Sequence, residues 1–312
     1  MGALSAHTHS EKAGEPEVRD LGGGIYAYLQ PDWTWMLNNA GFIAGRDAVT
    51  VVDTCGTEPR TRRYLEAIRK VSDRPLRTLI NTHHHGDHTY GNHLLLPAAT
   101  IVGHDHCRTE IQRVGLGVQA LFPDVEFGRV EIAPPFVTFA ERANVYVDEL
   151  KIELIFVGPA HTRGDVVAWI PERKLLFTGD IVFNDCTPFV AEGCVAHFFD
   201  ALNVLRGLGA ETVVPGHGPI GGPDMFDKVE GYLRFLQAAA RDMYRRGLPP
   251  LEAARQLDLG EYRTWPDAER IVGNLARAYS ELRGEPWAAT LDLATIAQDM
   301  MAYSGGPLRC LA

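Results

Sequence analysis

A chain of 312 residues with 46% apolar side chains can bury a large core, as one α/β domain or as one domain with a helical appendage. A formal net charge of −10 argues against nucleic acid as the main partner, since phosphates would be repelled overall. The five cysteines are odd in number, scattered and free of any CxxC pair, the usage of a reduced, cytosolic chain rather than of a disulfide framework.

Residues 1–17 are small and polar, without the basic and apolar regions of a secretion signal, and read as a flexible tail. No apolar run is long enough to span a bilayer. Residues 18–29 predict a strand in their second half, with Ile25, Ala27 and Leu29 on one face and Tyr26 and Tyr28 on the other. Residues 30–38 form a turn-rich loop carrying Trp33 and Trp35, either a packed corner or a substrate flap. Strands over 40–45 and 48–53 flank a Gly-Arg-Asp turn, a helix follows over 57–71, and the next strand covers 76–81.

Just past that strand, residues 81–92 read Asn-Thr-His-His-His-Gly-Asp-His-Thr-Tyr-Gly-Asn. Residues two apart point the same way in extended chain and nearly opposite ways on a helix. His83 and His85 therefore share one metal only if the segment is extended or tightly looped. Asp87 continues that side, while His88 faces elsewhere and suits a second metal, with Gly86 free to bend between the pairs. Imidazole with carboxylate suits zinc, with manganese or iron as the other options. Open α/β sheets place ligands at such strand ends.

A short strand over 100–103 leads into His104, Asp105 and His106, which read as a helix start capped by Asp105 more readily than as a metal site. Strands follow over 136–139, 144–147 and 150–157. Residues 165–170 and 175–178 form a hairpin, 198–208 a helix and 212–214 a strand. Beyond 224 the chain is helical over 225–246, 251–257, 267–283 and 290–302. Three strand ends in this half again present a metal-binding side chain flanked by Gly or Pro: His161 after 154–157, Asp180 after 175–177 and His217 after 212–214. Each alone is ordinary turn chemistry. Together with the first cluster they make five His and two Asp at strand ends.

This series, HxHxDH and then H, D and H, resembles the motifs of the metallo-β-lactamase superfamily. The resemblance implies an α/β fold: a four-layer αββα sandwich over 18–223, with the helices of 224–312 packed on the same domain. It implies two metal ions, taken as zinc. His83, His85 and His161 would hold the first, Asp87, His88 and His217 the second, and Asp180 would bridge them. Such a pair lowers the pKa of a bridging water and polarises a carbonyl, and Asp87 would orient the nucleophile or shuttle a proton. Asp180 where some lactamases use Cys looks like the branches that include glyoxalase II and thioesterases. His84 gains no role.

Residues 81–92, 157–170 and 177–189, with the tail over 301–306 and 310–312, look like the second-ring cyclases of bacterial aromatic (type II) polyketide pathways, as in actinorhodin biosynthesis. That likeness implies a bifunctional cyclase and thioesterase. It would promote an intramolecular aldol step on a poly-β-ketone borne by an acyl carrier protein and then hydrolyse the thioester. Trp33, Trp35, Phe183, Phe189 and Phe198 would line an aromatic pocket. Arg234, Arg241 and Arg245 share a helix face, either simply solvated or a dock for an acidic carrier. The oligomeric state stays open, a homodimer among the options. The rival readings are a glyoxalase-II-like or other small-molecule thioester hydrolase, a lactonase or β-lactamase, and a metal-free binding protein.

Overall fold

The computed structural model describes residues 13–312. Of the flexible tail expected over 1–17, residues 1–12 lie outside the described residues. Ala13 already donates its backbone N–H to the Leu311 carbonyl, and Glu17 opens a strand.

The first sheet has seven strands in sequence order: β1 (Glu17–Asp20), β2 (Ile25–Leu29), β3 (Ala40–Ala44), β4 (Val49–Val52), β5 (Leu76–Ile80), β6 (Thr100–His104) and β7 (Val137–Phe139). β1 to β4 pair antiparallel as a meander, with short turns before β2 and β4 and the longer loop 30–39 between β2 and β3. β4 to β7 pair parallel, which requires crossovers. Helix α1 (Glu58–Val71) is the first of these, and its N-cap Thr57 accepts from the Arg60 N–H. The second sheet holds β8 (Arg142–Val147), β9 (Leu150–Phe156), β10 (Val166–Ile170), β11 (Leu175–Phe177) and β12 (Thr212–Val214), with only β11 and β12 parallel.

Period-2 alternation assembles the layers. Ile25, Ala27 and Leu29 face Val166, Ala168 and Ile170 in the core between the sheets. The alternate residues Tyr28 and Phe42 pack outward on Tyr64 and Ile68 of α1. Val167 and Trp169 face the opposite way, under the later helices. These are α4 (Val195–Leu208), α5 (Asp224–Arg245), α6 (Pro250–Gln256), α7 (Arg270–Leu282) and α8 (Leu293–Ser304). The result is the expected αββα sandwich with additional C-terminal helices.

Two local expectations need correction. Residues 17–20 pair as β1, although their side chains are exposed and carry no alternating apolar pattern. The helix α3 (Asp105–Val114) is capped by His104 rather than Asp105, because the His104 imidazole accepts the His106 N–H at 3.1 Å. His104 stacks on Phe156 and its Nε2 donates to the Ala140 carbonyl at 2.8 Å, so both ring nitrogens are engaged within the protein. No helix among the described residues is long and apolar enough to cross a membrane. All five cysteines are free thiols, four of them buried.

Candidate metal centre

Four strand ends converge at one edge of the sandwich. His83 and His85 follow β5, His161 follows β9, Asp180 follows β11 and His217 follows β12. The chain stays extended as far as His85 (φ −61°, ψ 149°) and then turns helical over Gly86–Thr89, labelled α2 here although it is a single turn. That turn corrects the spacing argument. Asp87 does not continue the side of His83 and His85; it swings to the same side as His88, its neighbour on the turn. Two groups result, His83, His85, His161 and Asp180, and Asp87, His88, His217 and Asp180, with the ligand atoms of each group lying within 4.8 Å of one another.

Asp180 faces both groups. Its Oδ1 lies 3.0 Å from His88 Nε2, and its Oδ2 lies 3.3 Å from His161 Nε2 and 3.4 Å from His217 Nε2. His217 Nε2 is also 3.2 Å from Asp87 Oδ2, and His85 Nδ1 is 2.9 Å from His161 Nε2. A Cβ on Gly216 would come within 1.9 Å of Asp180 Oδ1, so only glycine lets the His217 loop approach this closely.

Surrounding acceptors set the tautomers. His83 Nδ1 lies 3.0 Å from Thr82 Oγ1, whose own hydrogen goes to Asp53 Oδ2 at 2.7 Å, so the imidazole is the donor there. His88 Nδ1–H points at Asp53 Oδ2 (2.9 Å), His161 Nδ1–H at the Phe189 carbonyl (2.5 Å) and His85 Nε2–H at Glu192 Oε1 (2.9 Å). Four imidazoles thus turn a lone pair towards the shared space. His83 Nε2, His88 Nε2 and Asp180 Oδ1 are buried with no hydrogen-bond partner in the protein. Buried polar atoms are ordinarily satisfied, and converging lone pairs on imidazole and carboxylate are what a divalent cation satisfies. The residues fit a pair of such ions.

The electrostatics divide the imidazoles: nearby carboxylates hold His85, His88 and His217 above the usual range against their burial, so these would give up a proton on binding a cation. Burial, reinforced by His88, holds His83 well below the usual imidazole range, and burial brings His161 down to about 3, so both are neutral ligands. Burial opposes ionisation of Asp180 and Asp87, yet the surrounding imidazoles outweigh it and hold both carboxyls low. Glu192 is likewise kept low, against its burial, by His84 and His85.

The site opens on a cavity of about 490 Å³. His85, Asp87, His161, Asp180 and His217 form one wall. Trp35, Phe122, Phe183 and Phe189 form another, and Ile296, Ala297 and Met300 of α8 a third. Two expected pocket residues are elsewhere. Phe198 is fully buried on the core face of α4 with Val195, Ala201, Leu202 and Leu205. Trp33, in a left-handed backbone conformation, packs against the core margin and does not line the cavity. On α5, Arg234 is engaged by Glu230 at 2.5 Å and lies over Phe199, and Arg245 lies 3.8 Å from Asp242, which leaves Arg241 of the expected basic face.

Sequence reasoning missed Asp53, Glu192 and Arg270. Arg270 is buried over the Trp35 and Phe183 rings, paired with Asp267 at 2.7 Å. Asp53 closes a strand just as the ligands do, which was the one available signal. Glu192 and Arg270 carry no such mark.

Comparison with known proteins bears on the same segment. A family model described as the metallo-beta-lactamase superfamily matches residues 33–217. The 2,4-dinitroanisole O-demethylase subunit alpha of Nocardioides sp. (strain JS1661) is 29% identical over 217 residues, covering 64% of this chain and 62% of that one. A hydroxyacylglutathione hydrolase of Thermosynechococcus vestitus is 29% identical over 171 residues, covering 53% and 56%. The chain thus spans less than two thirds of the length of these relatives. A metallo-beta-lactamase from Pontibacter korlensis superposes with a TM-score of 0.60 at 19% identity, over 70% of this chain and 99% of that one.

Proposed function

The chain belongs to the metallo-β-lactamase superfamily, and from that premise we propose that it is a two-metal thioester hydrolase for bulky aromatic acyl groups, with cyclase activity on a carrier-bound polyketide. The observation that carries this reading is the cavity: the metal-binding wall is continuous with aromatic and aliphatic walls large enough for a fused ring system. Bound cations, zinc or else manganese or iron, would supply Lewis acidity and a water of lowered pKa.

The protein's own residues do the rest. His83, His85 and His161 would hold one ion, Asp87, His88 and His217 the other, and Asp180 reaches both. Asp87 also lines the cavity, where it can accept a proton from a nucleophilic water. Trp35, Phe183 and Phe189 would seat the ring and keep bulk water away from the reacting carbonyl. In the hydrolysis, water adds to the thioester carbonyl, the C–S bond breaks, and the thiol leaves with a proton. In the preceding step the same walls would fold the ketone chain so that its aldol carbons meet beside the centre.

The partner on this reading is an acyl carrier protein. Of the three arginines on α5, Arg241 remains for its acidic surface, with Arg245 beside it held by Asp242 at 3.8 Å. Arg241→Glu with Arg245→Glu is expected to slow release from the carrier and to spare an N-acetylcysteamine thioester. Equal loss on both substrates would remove the docking site.

A second reading, a small-molecule hydrolase of hydroxyacylglutathione type, is favoured by the cyanobacterial relative. Comparing kcat/KM on lactoylglutathione and on a naphthoyl N-acetylcysteamine thioester separates the two. A preference for the aromatic acyl group supports the proposal. A preference for lactoylglutathione transfers the assignment to the second reading. Hydrolysis of nitrocefin alone would remove both.

A further inference from the structure

His84 and Glu192 are left over by the reading above, yet they touch each other and the centre. Glu192 lies in the loop between β11 and α4, with only 15% of its side chain exposed. Its Oε1 accepts from His85 Nε2 at 2.9 Å, and its Oε2 lies 3.5 Å from His84 Nε2. Arg113 stands 3.7 Å away on the open side. The opposite nitrogen of His85, Nδ1, is the one that joins His83, His161 and Asp180.

We infer that Glu192 is the positioning residue of the first metal site: its carboxylate fixes His85 as an Nδ1 ligand and strengthens that ligand selectively over those of the second site. The inference rests on the two-metal reading. Its logic is charge and direction. The first group holds three imidazoles and only the shared Asp180 carboxylate, whereas the second has Asp87 as well. A carboxylate accepting the far N–H of a ligating imidazole raises its donor strength and locks its ring. Asp53 does this for His88 in the second group, and Glu192 is its counterpart in the first.

The loop is built to hold that carboxylate still. A Cβ on Gly193 would fall 1.8 Å from the Ala160 carbonyl, so the chain next to Glu192 lies directly on the His161 loop. The Cys194 N–H donates to the same carbonyl at 2.8 Å. On the other side, Arg277 donates to the Ala191 carbonyl at 2.7 and 3.0 Å. His84, buried beneath, confines the second carboxylate oxygen and so restricts rotation of the first.

The test is stepwise zinc binding to the metal-stripped full-length protein, by competition with a chromophoric chelator. Wild type is expected to take two equivalents. Glu192→Ala is expected to weaken one equivalent by about 10- to 100-fold and to leave the other within about twofold. Glu192→Gln, which keeps an acceptor oxygen but no charge, should fall between the two. The thermal midpoints of the metal-free variants should match that of metal-free wild type. Equal weakening of both equivalents, or no change in either variant, overturns the inference. A third equivalent lost in Glu192→Ala would overturn it too, by making Glu192 a direct ligand. Wild type that binds no zinc would instead remove the two-metal reading on which the inference stands.

Discussion

Orientation of single side chains decides what this centre can do. Four of the five imidazoles are directed by one acceptor each: Thr82, Asp53, Phe189 and Glu192. Asp180 approaches histidines of both groups through its two oxygens. Its removal should therefore affect both ions, whereas removal of His85 should affect one. Asp180→Ala is expected to retain little zinc after gel filtration, and His85→Ala about one equivalent. Both should lose turnover, as read by metal analysis alongside thioester hydrolysis. Full activity in either variant would contradict the dinuclear assignment. The residues that converge here were legible in the chain, because an apolar strand followed by Gly or Pro and a His or Asp is a local pattern. Their acceptors were not. Glu192 meets His85 across 107 positions of sequence, through a loop whose path depends on α7 and on the close approach at Gly193.

At the scale of elements, α7 acts as the buttress of the site. Arg270, Asn274 and Arg277 on one face of this helix hold the carbonyls of Thr187, Pro188 and Ala191, and Asn274 also accepts the Val190 N–H. The segment so held supplies the Phe189 carbonyl to His161 and the Glu192 carboxylate to His85. Asn274→Ala leaves three buried partners, the Pro188 carbonyl, the Val190 N–H and the Tyr232 hydroxyl, without their amide. It is expected to cost about 1–3 kcal/mol of stability in urea unfolding and to weaken zinc binding. Unchanged zinc affinity would show that the loop holds its shape without the helix. The aromatic residues separate in the same way. Phe198→Ala, on the core face of α4, is expected to cost about 3–5 kcal/mol while leaving KM alone. Phe189→Ala, on the cavity wall, should raise KM for an aromatic thioester. Here part of the answer was legible: Val195, Phe198, Leu202 and Leu205 fall on one helical stripe, which marks Phe198 as core. Trp33 and Trp35 were not separable, because a left-handed residue in an irregular loop leaves no periodic trace. Asp87 was misplaced for a related reason, since a period-2 argument ends where Gly86 starts a helical turn.

For the molecule as a whole, two sheets sandwiched between helices bring strand ends far apart in sequence to one edge, and the C-terminal helices then enclose the space above them. The motif resemblance made that architecture readable, and strand alternation accounts for it, since inward and outward residues of β2 and β10 sort cleanly into different cores. The cavity was not readable, because its third wall comes from α8, whose apolar residues look like any packed helix. Ligand binding to the folded state alone stabilises it by mass action. Saturation with zinc at a hundredfold excess over Kd should therefore add about 2.7 kcal/mol per ion, seen as a rise in thermal midpoint that a chelator reverses. A midpoint indifferent to zinc would mean that the ligands do not close on an ion in the folded chain.

The most direct measurement follows thiol release from a naphthoyl N-acetylcysteamine thioester by the purified chain as isolated, after chelation, and after return of two equivalents of zinc. Expected are hydrolysis, its loss, and its recovery in step with bound zinc. Hydrolysis that survives complete chelation, or none by protein carrying both equivalents, would contradict it.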